Sequence, residues 1–478
     1  MKAWSSEKIS VFALVLLITG AIDSIRNLPG TALFGSSLIF FFIFSAIIFL
    51  IPVALVSAEL SSTWSEEEGG VYSWVESAFG ENAAFFTIWL QWINTLVWYP
   101  TIISFIAGTL AYLINPELIQ NKYYLISVIL IVFWSLTLIG LSGLRASAAF
   151  ASFCTIVGMI LPMGFIILLA FIWLIKGHPL AINFSLANLL PHWTDTQSWV
   201  SLTAIMTSFL GMELAAVHVR NVHSPQQNFP RAMFLSVILI LITMIFGSLA
   251  IAFVLPKEKI NLVGGVMQAF DNFFQVYHLN FLMPVLIVLL LLGSLGSMVN
   301  WIISPAKGLL LAADRGFLPH WLYRLNKHGV ASRVLLLQAV IVTLLCSGFL
   351  LFPNVNAIYW LFTDLSTELY ILMYVFMFLA AWQLKTKFAH LPRPFAIPGG
   401  KLGYYLTCTL GLTGCIITLI IGFIPPENSM DIGGANHFRL VFSLGIVCML
   451  LPAFLLYMRK KRTTVTINAE IGRLIKQS

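Results

Sequence analysis

Apolar residues in this chain run in long blocks. These lie near residues 9–34, 36–57, 85–113, 125–141, 150–175, 198–218, 232–255, 280–312, 333–352, 356–383, 404–424 and 438–458. Each is close to the roughly 20 residues an α-helix needs to cross a bilayer core. The blocks are far longer than barrel strands and lack two-residue alternation. They predict an all-α membrane protein of twelve transmembrane helices.

Composition sharpens that reading. Hydrophobic residues make up 59% of the 478 and charged residues 9%, where soluble domains carry roughly 25% charged. So few charges could not cover a soluble protein of this size, so lipid must be the main solvent. The net charge of +7 does not point to nucleic acid, because the charges sit between the apolar blocks. The five cysteines, Cys154, Cys346, Cys408, Cys415 and Cys448, fall inside those blocks and read as small core residues without disulfides. Residues 1–24 have the basic start and apolar core of a signal peptide, but apolar blocks continue along the chain. This stretch is therefore expected to stay as the first membrane helix.

The basic residues give an orientation. With twelve spans, Lys122, Lys176, Lys257, Lys259 and Arg439 fall on one side and Arg26 falls inside a span; the other twenty of the 26 Lys and Arg fall on the side that holds both termini. By the positive-inside rule both termini are expected in the cytoplasm of a bacterial inner-membrane protein. The basic, aromatic segment 317–328 (FLPHWLYRLNKH) is expected to lie along that face. Residues 459–478 read as a short tail.

Two blocks carry polar and small residues at mid-span. Helix 1 contains Gly20, Ile22, Asp23, Ser24, Arg26 and Pro29, and helix 6 contains Phe209, Gly211 and Glu213. A transporter binds cargo where two helices in corresponding repeats break, because the half-helix ends present bare N–H and C=O groups. An amino-acid zwitterion has a carboxylate for the first and an ammonium for the second. A packing kink is the alternative. In helix 8 the stretch 293–301 (GSLGSMVNW) suits close helix packing, and Trp301 is a candidate for the path.

Charged side chains at membrane depth cost at least ~2.5–3.5 kcal/mol each on insertion scales, so each needs a partner or a task. Asp23, Arg26, Glu213, Asp364 and Glu368 are the candidates. Asp364 and Glu368 share one face of helix 10, and Tyr370 and Tyr374 share a different one. One reading is an ion-pair network from Arg26 to Asp364 or Glu368. The other makes Glu213, Asp23, Asp364 or Glu368 a proton carrier, with Glu213 first. The tyrosine pair suits contact with an amphipathic cargo.

Four stretches resemble the amino acid–polyamine–organocation superfamily, and within it the bacterial glutamate/γ-aminobutyrate antiporter group. They are residues 66–75 (EEEGGVYSWV), 208–233 (SFLGMELAAVHVRNVHSPQQNFPRAM), 260–270 (INLVGGVMQAF), and the pair 395–401 (FAIPGGK) and 423–428 (FIPPEN). The resemblance implies a five-plus-five inverted-repeat (LeuT-like) fold with discontinuous helices 1 and 6. The ten-helix core would fill residues 1–383, as repeats of about 9–175 and 198–383, with helices 11 and 12 in 384–458. It also implies alternating access, exchange of amino acids, and a place in the substrate path for Glu213, Tyr370 and Tyr374. Two departures stand out. Ile22, Asp23 and Ser24 occupy the usual Gly-Ser-Gly-like turn of helix 1, and Arg26, Asp364 and Glu368 are unusual near the cargo. About sixteen residues follow Arg462, so the longer C-terminal gate of the acid-resistance antiporters is expected to be missing.

The functions this suggests are exchange of external glutamate-like amino acids for internal ones or their decarboxylated amines, proton-coupled amino-acid symport, or amino-acid sensing without transport. An enzyme is not expected. The chain shows no nucleotide loop, nucleophile–base pattern or metal-ligand spacing among its nine histidines, so no cofactor is expected.

Overall fold

The computed structural model describes residues 10–64, 70–143, 148–191, 196–313, 315–319, 321–352, 354–426 and 434–477. Glu66, Glu67, Glu68 and Gly69 of the first resemblance stretch, and Glu427 and Asn428 of the last, lie outside them.

In chain order the α-helices are α1 (Val11–Ile22), α2 (Leu28–Ala32), α3 (Leu38–Ser45), α4 (Ile51–Thr63), α5 (Val71–Phe79), α6 (Glu81–Ile114), α7 (Lys122–Leu141), α8 (Ala148–Thr155), α9 (Leu161–Ile175), α10 (Leu186–Leu189), α11 (Thr196–Thr207), α12 (Pro225–Val254), α13 (Gly265–Tyr277), α14 (Met283–Ala313), α15 (Ser332–Cys346), α16 (Gly348–Leu351), α17 (Val355–Lys387), α18 (Gly400–Ile421) and α19 (Ala435–Gln477). Among the described residues there is no strand, as lipid demands of a chain that satisfies its backbone within each segment. Asparagine side chains cap α7 and α17: Asn121 accepts from the Tyr123 and Tyr124 N–H groups, and Asn354 from that of Asn356.

Eleven helices, rather than twelve, are long and apolar enough to cross a membrane among the described residues. The block expected as helix 6 yields only the shorter apolar stretch Leu202–Ala216, because its α-helix stops at Thr207. Three helices fall outside the apolar blocks: α5, α10 and α13 have 9, 4 and 13 residues, too few to span. Segment 317–328 forms turns without a helix among its described residues. Phe317 is instead stacked on Phe85 of α6, ring centroids 4.3 Å apart.

Two π-helical turns shape the packing. Ala46–Leu50 precedes Pro52, and Ile156–Ile160 precedes Pro162. A proline has no N–H for the carbonyl four residues back, which here belongs to Ile48 or Gly158, and the wider turn absorbs the clash. A glycine from another helix closes on each site. A Cβ on Gly414 of α18 would lie 2.7 Å from the Ile48 carbonyl oxygen, and one on Gly293 of α14 would lie 2.8 Å from that of Gly158. Gly296 likewise meets Cys154, so the small residues of helix 8 serve close approach, as expected.

Charges gather where helix ends meet. Glu59 on α4 is fully buried; it accepts from Lys385 Nζ (2.7 Å), Arg393 Nη1 (3.0 Å) and the Ile397 N–H (2.8 Å). Arg315 pairs with Glu76 and Glu81, and Lys460 with Glu81. These contacts tie α4 to α17, α5 to α6 through Arg315, and α6 to α19.

Candidate functional site

Helix 1 breaks at its acid. α1 ends at Ile22, Asp23 (φ −66°, ψ 133°) and Ser24 (φ −150°, ψ 118°) are extended, and helical turns resume at Ile25–Asn27 and α2. Asp and Ser favour such a break because their side chains compete with the backbone for hydrogen bonds. Pro29 in the first turn of α2 has no N–H to satisfy. The Asp23 N–H closes the last turn on the Thr19 carbonyl at 2.7 Å. The carbonyls beyond Thr19 are past the reach of α1's own ladder. Asp23 is buried; its Oδ2 accepts from Thr243 Oγ1 of α12 at 2.6 Å, and its Oδ1 is buried with no partner.

The expected ion pair of Arg26 with Asp364 or Glu368 does not form among the described residues. Arg26 instead donates from Nη1 to Thr101 Oγ1 of α6 at 3.1 Å, its guanidinium lies 4.9 Å from the Trp98 ring centroid, and on α17 it meets Tyr359, while its Nε has no partner. A cation over an indole face is attracted by the ring quadrupole, so the charge has a partner without an acid.

Helix 6 breaks at its glycine. α11 stops at Thr207, residues 208–211 form a turn, and a 3-10 segment, Met212–Asn221, follows. Gly211 has φ 107°, a conformation that side-chain-bearing residues rarely adopt. The Gly211 N–H donates to Tyr374 Oη at 2.8 Å. A phenol has one proton, and Tyr374 gives its own to Glu213 Oε2, while Tyr370 donates to Glu213 Oε1 at 2.6 Å. The tyrosines sit four apart on α17, so both reach one carboxyl group. Phe49 meets Tyr374 edge-on at 5.0 Å.

The two breaks touch. A Cβ on Gly211 would stand 3.7 Å from the Ala21 carbonyl oxygen and 3.8 Å from Ile22 Cγ1. Trp98 extends the wall to Trp301 of α14, centroids 5.4 Å apart, and Tyr99 Oη donates to the Trp301 carbonyl at 2.8 Å. Ile22, Asp23, Ser24, Arg26, Gly211, Glu213, Trp301, Tyr370 and Tyr374 thus belong to one neighbourhood. Two candidates do not face it. Gly20 packs on α8, where a Cβ would lie 2.6 Å from Thr155 Oγ1, and Phe209 packs edge-on against Phe42 of α3. Asp364 and Glu368 lie elsewhere on α17. Sequence reading missed Trp98, Thr101 and Thr243. The available signal was a tryptophan and two threonines inside spans, away from the interfacial belts where aromatic residues usually collect.

Such a site can hold a small zwitterion. The carbonyl end of α1, with Asp23, attracts a cation, while Met212 opens a segment whose first N–H groups have no partner within it. Comparison with known proteins decides the class, because the amino acid permease family matches residues 9–462. The chain belongs to that family. This permease, a multi-pass membrane protein, is thereby a member of the superfamily its motifs resemble. It is 42% identical over 424 residues to an uncharacterized transporter of Legionella pneumophila, covering 89% of this chain and 91% of the relative. It is 29% identical over 469 residues to a glutamate/gamma-aminobutyrate antiporter of Lactococcus lactis, covering 97% and 93%. To a probable agmatine/putrescine antiporter of the same species it is 25% identical over 463 residues, covering 96% and 97%.

Proposed function

We propose that this permease is an antiporter that exchanges an external, glutamate-like amino acid for an internal amino acid or its decarboxylated, GABA-like amine by alternating access. The observation that carries the reading is the meeting of the two breaks at Gly211 and Ile22, beside a Glu213 gripped by two tyrosines. The Lactococcus relatives, which cover nearly the whole chain, bear antiporter names. In this reading residues 1–383 form two inverted sets of five helices, the interrupted helix 6 completes twelve spans, and both termini lie in the cytoplasm of a bacterial inner membrane. The α1 carbonyl end and Asp23 take the cargo's ammonium, and Arg26 and the Met212 turn take carboxylate. Tyr370, Tyr374 and Glu213 couple cargo to the helix 6 break.

Counterflow in proteoliposomes tests it. Labelled glutamate is expected to enter only vesicles preloaded with an amino acid or γ-aminobutyrate. Uptake into empty vesicles driven by a proton gradient alone would replace antiport with symport.

A further inference from the structure

The Asp364–Glu368 pair takes no part in the site described above. Both Glu368 carboxyl oxygens and Asp364 Oδ1 are buried with no hydrogen-bond partner. Glu368 lies against α18: a Cβ on Gly422, at the end of that helix, would collide with its Oε1, and Cys415 of the same helix is the titratable group facing it. Thr207 of α11 bonds Thr367 of α17 at 2.5 Å, between this pair and the Gly211 turn.

Among the described residues no cation pairs with either acid; helix 1 brings Arg26 to Tyr359 of α17, not to Asp364 or Glu368. α11 carries no charged residue, and the only one in α18 is Lys401, in its first turn. The lysines in the last turn of α17 are occupied, Lys385 by Glu59 and Lys387 by the Ser77 carbonyl. On the α6 side, Ser366 meets Asn94. On α5, Glu76 is held by Arg315. From α19, Gly445 packs on Leu365, and Arg439 donates to the Phe423 carbonyl. α3 and the π-turn that follows it have no charge.

A second group points the same way. Trp360, one turn before Asp364, is buried, and its indole Nε1 lies beside the Asp364 carboxyl and meets no other partner. Its ring reaches Gly30 and Phe34 in the second half of helix 1. A row of buried polar groups at i, i+4 and i+8 therefore winds along α17 from helix 1 to α18.

We propose that Asp364 and Glu368 form a proton-holding site at the junction of α17, α18 and α11, separate from the cargo site, and that its occupancy governs exchange. A bare carboxylate has nothing to balance it in this low-dielectric surrounding. A hard divalent cation such as calcium calls for about six or more oxygens, whereas a proton needs one. Protonation makes an O–H bond on a carboxylate oxygen and deprotonation returns the proton to water; no electrons move.

The exchange readout rests on the antiport reading, so the first test does not use it. Infrared spectra of the full chain in liposomes, titrated with pH, are expected to show a protonated-carboxyl carbonyl band that Glu368→Gln or Asp364→Asn removes in part. In exchange assays either amide is expected to flatten a pH profile that otherwise changes by up to about tenfold per pH unit, and Glu368→Asp is expected to restore it. If one amide fails to fold, the other decides. An unchanged band and profile in a folded variant, or exchange that follows sodium at fixed pH, overturns the proposal. If the chain does not exchange at all, the infrared result still decides.

Discussion

Tyr374→Phe and Tyr370→Phe separate what the two tyrosines do. Each change removes one hydroxyl and leaves the ring, so packing against Phe49 and within the pair is kept. Tyr370→Phe costs one hydrogen bond to Glu213. Interhelical bonds in bilayers average only ~0.6 kcal/mol and reach about 1.7; an acidic acceptor in a buried site belongs near the top, about 1.5 kcal/mol. Tyr374→Phe costs the same and also strands the Gly211 N–H, which is buried and bonded to no other group described. An orphaned buried donor adds about 1–3 kcal/mol. The Tyr374 variant should therefore be the less stable by at least about 1 kcal/mol, roughly a fivefold change in equilibrium. Reversible unfolding in mixed micelles measures this directly, and cargo binding to purified protein shows whether the loss falls on the helix 6 break. Equal destabilisation by the two changes would refute the reading that Tyr374 fastens the broken backbone while Tyr370 does not.

Two further substitutions test the surrounding structure. Gly211→Ala has room, since the nearest atom to the new Cβ is Leu214 Cδ1 at 3.6 Å; its cost is the left-handed backbone, about 1–2 kcal/mol, and exchange should fall while expression persists. Normal exchange in that variant would mean that the turn can relax to negative φ without loss. Glu59→Gln leaves Lys385 and Arg393 facing a neutral amide and should destabilise by about 3–5 kcal/mol, as when one partner of a buried ion cluster is removed; an unchanged thermal midpoint would show that water already screens the cluster.

How much of this was visible in the sequence depends on the range of the force involved. Spans are legible because lipid leaves no solvent partner for the backbone, so a crossing helix must be long and apolar by itself. α13 obeys a different rule: it covers Pro29 with Gly265 and Phe165 with Phe270 and Phe274, and 13 residues suffice for that. α12 begins at Pro225, several residues before the apolar block, because proline is tolerated in a first turn where no N–H is needed. The breaks are legible for local reasons, Asp23–Ser24 in one helix and Gly211 in the other. Their partners are not, since Thr243 lies 220 positions from Asp23.

Arg26 and the helix 10 acids show how a ledger of charges misleads. Counting opposite signs matched the one intramembrane base with the acids of helix 10, and that pairing assumed a formal charge must meet another. Trp98, Thr101 and Tyr359 surround the guanidinium with a π face and hydroxyls, none of which pairs with it as an acid would, and its Nε stays unbonded. That leaves the acids without their expected counter-ion. Their spacing of four residues does put them on one side of α17, yet the helix turns about 100° per residue, so four residues advance the face by some 40°. Trp360 can thus touch helix 1 while Glu368, two steps of four later, lies against Gly422 at the end of α18. The insertion cost of the acids can be read from sequence. Which neighbour they face is set by where α18 packs, and only that contact distinguishes a group that reaches the cargo from one confined behind helix 6.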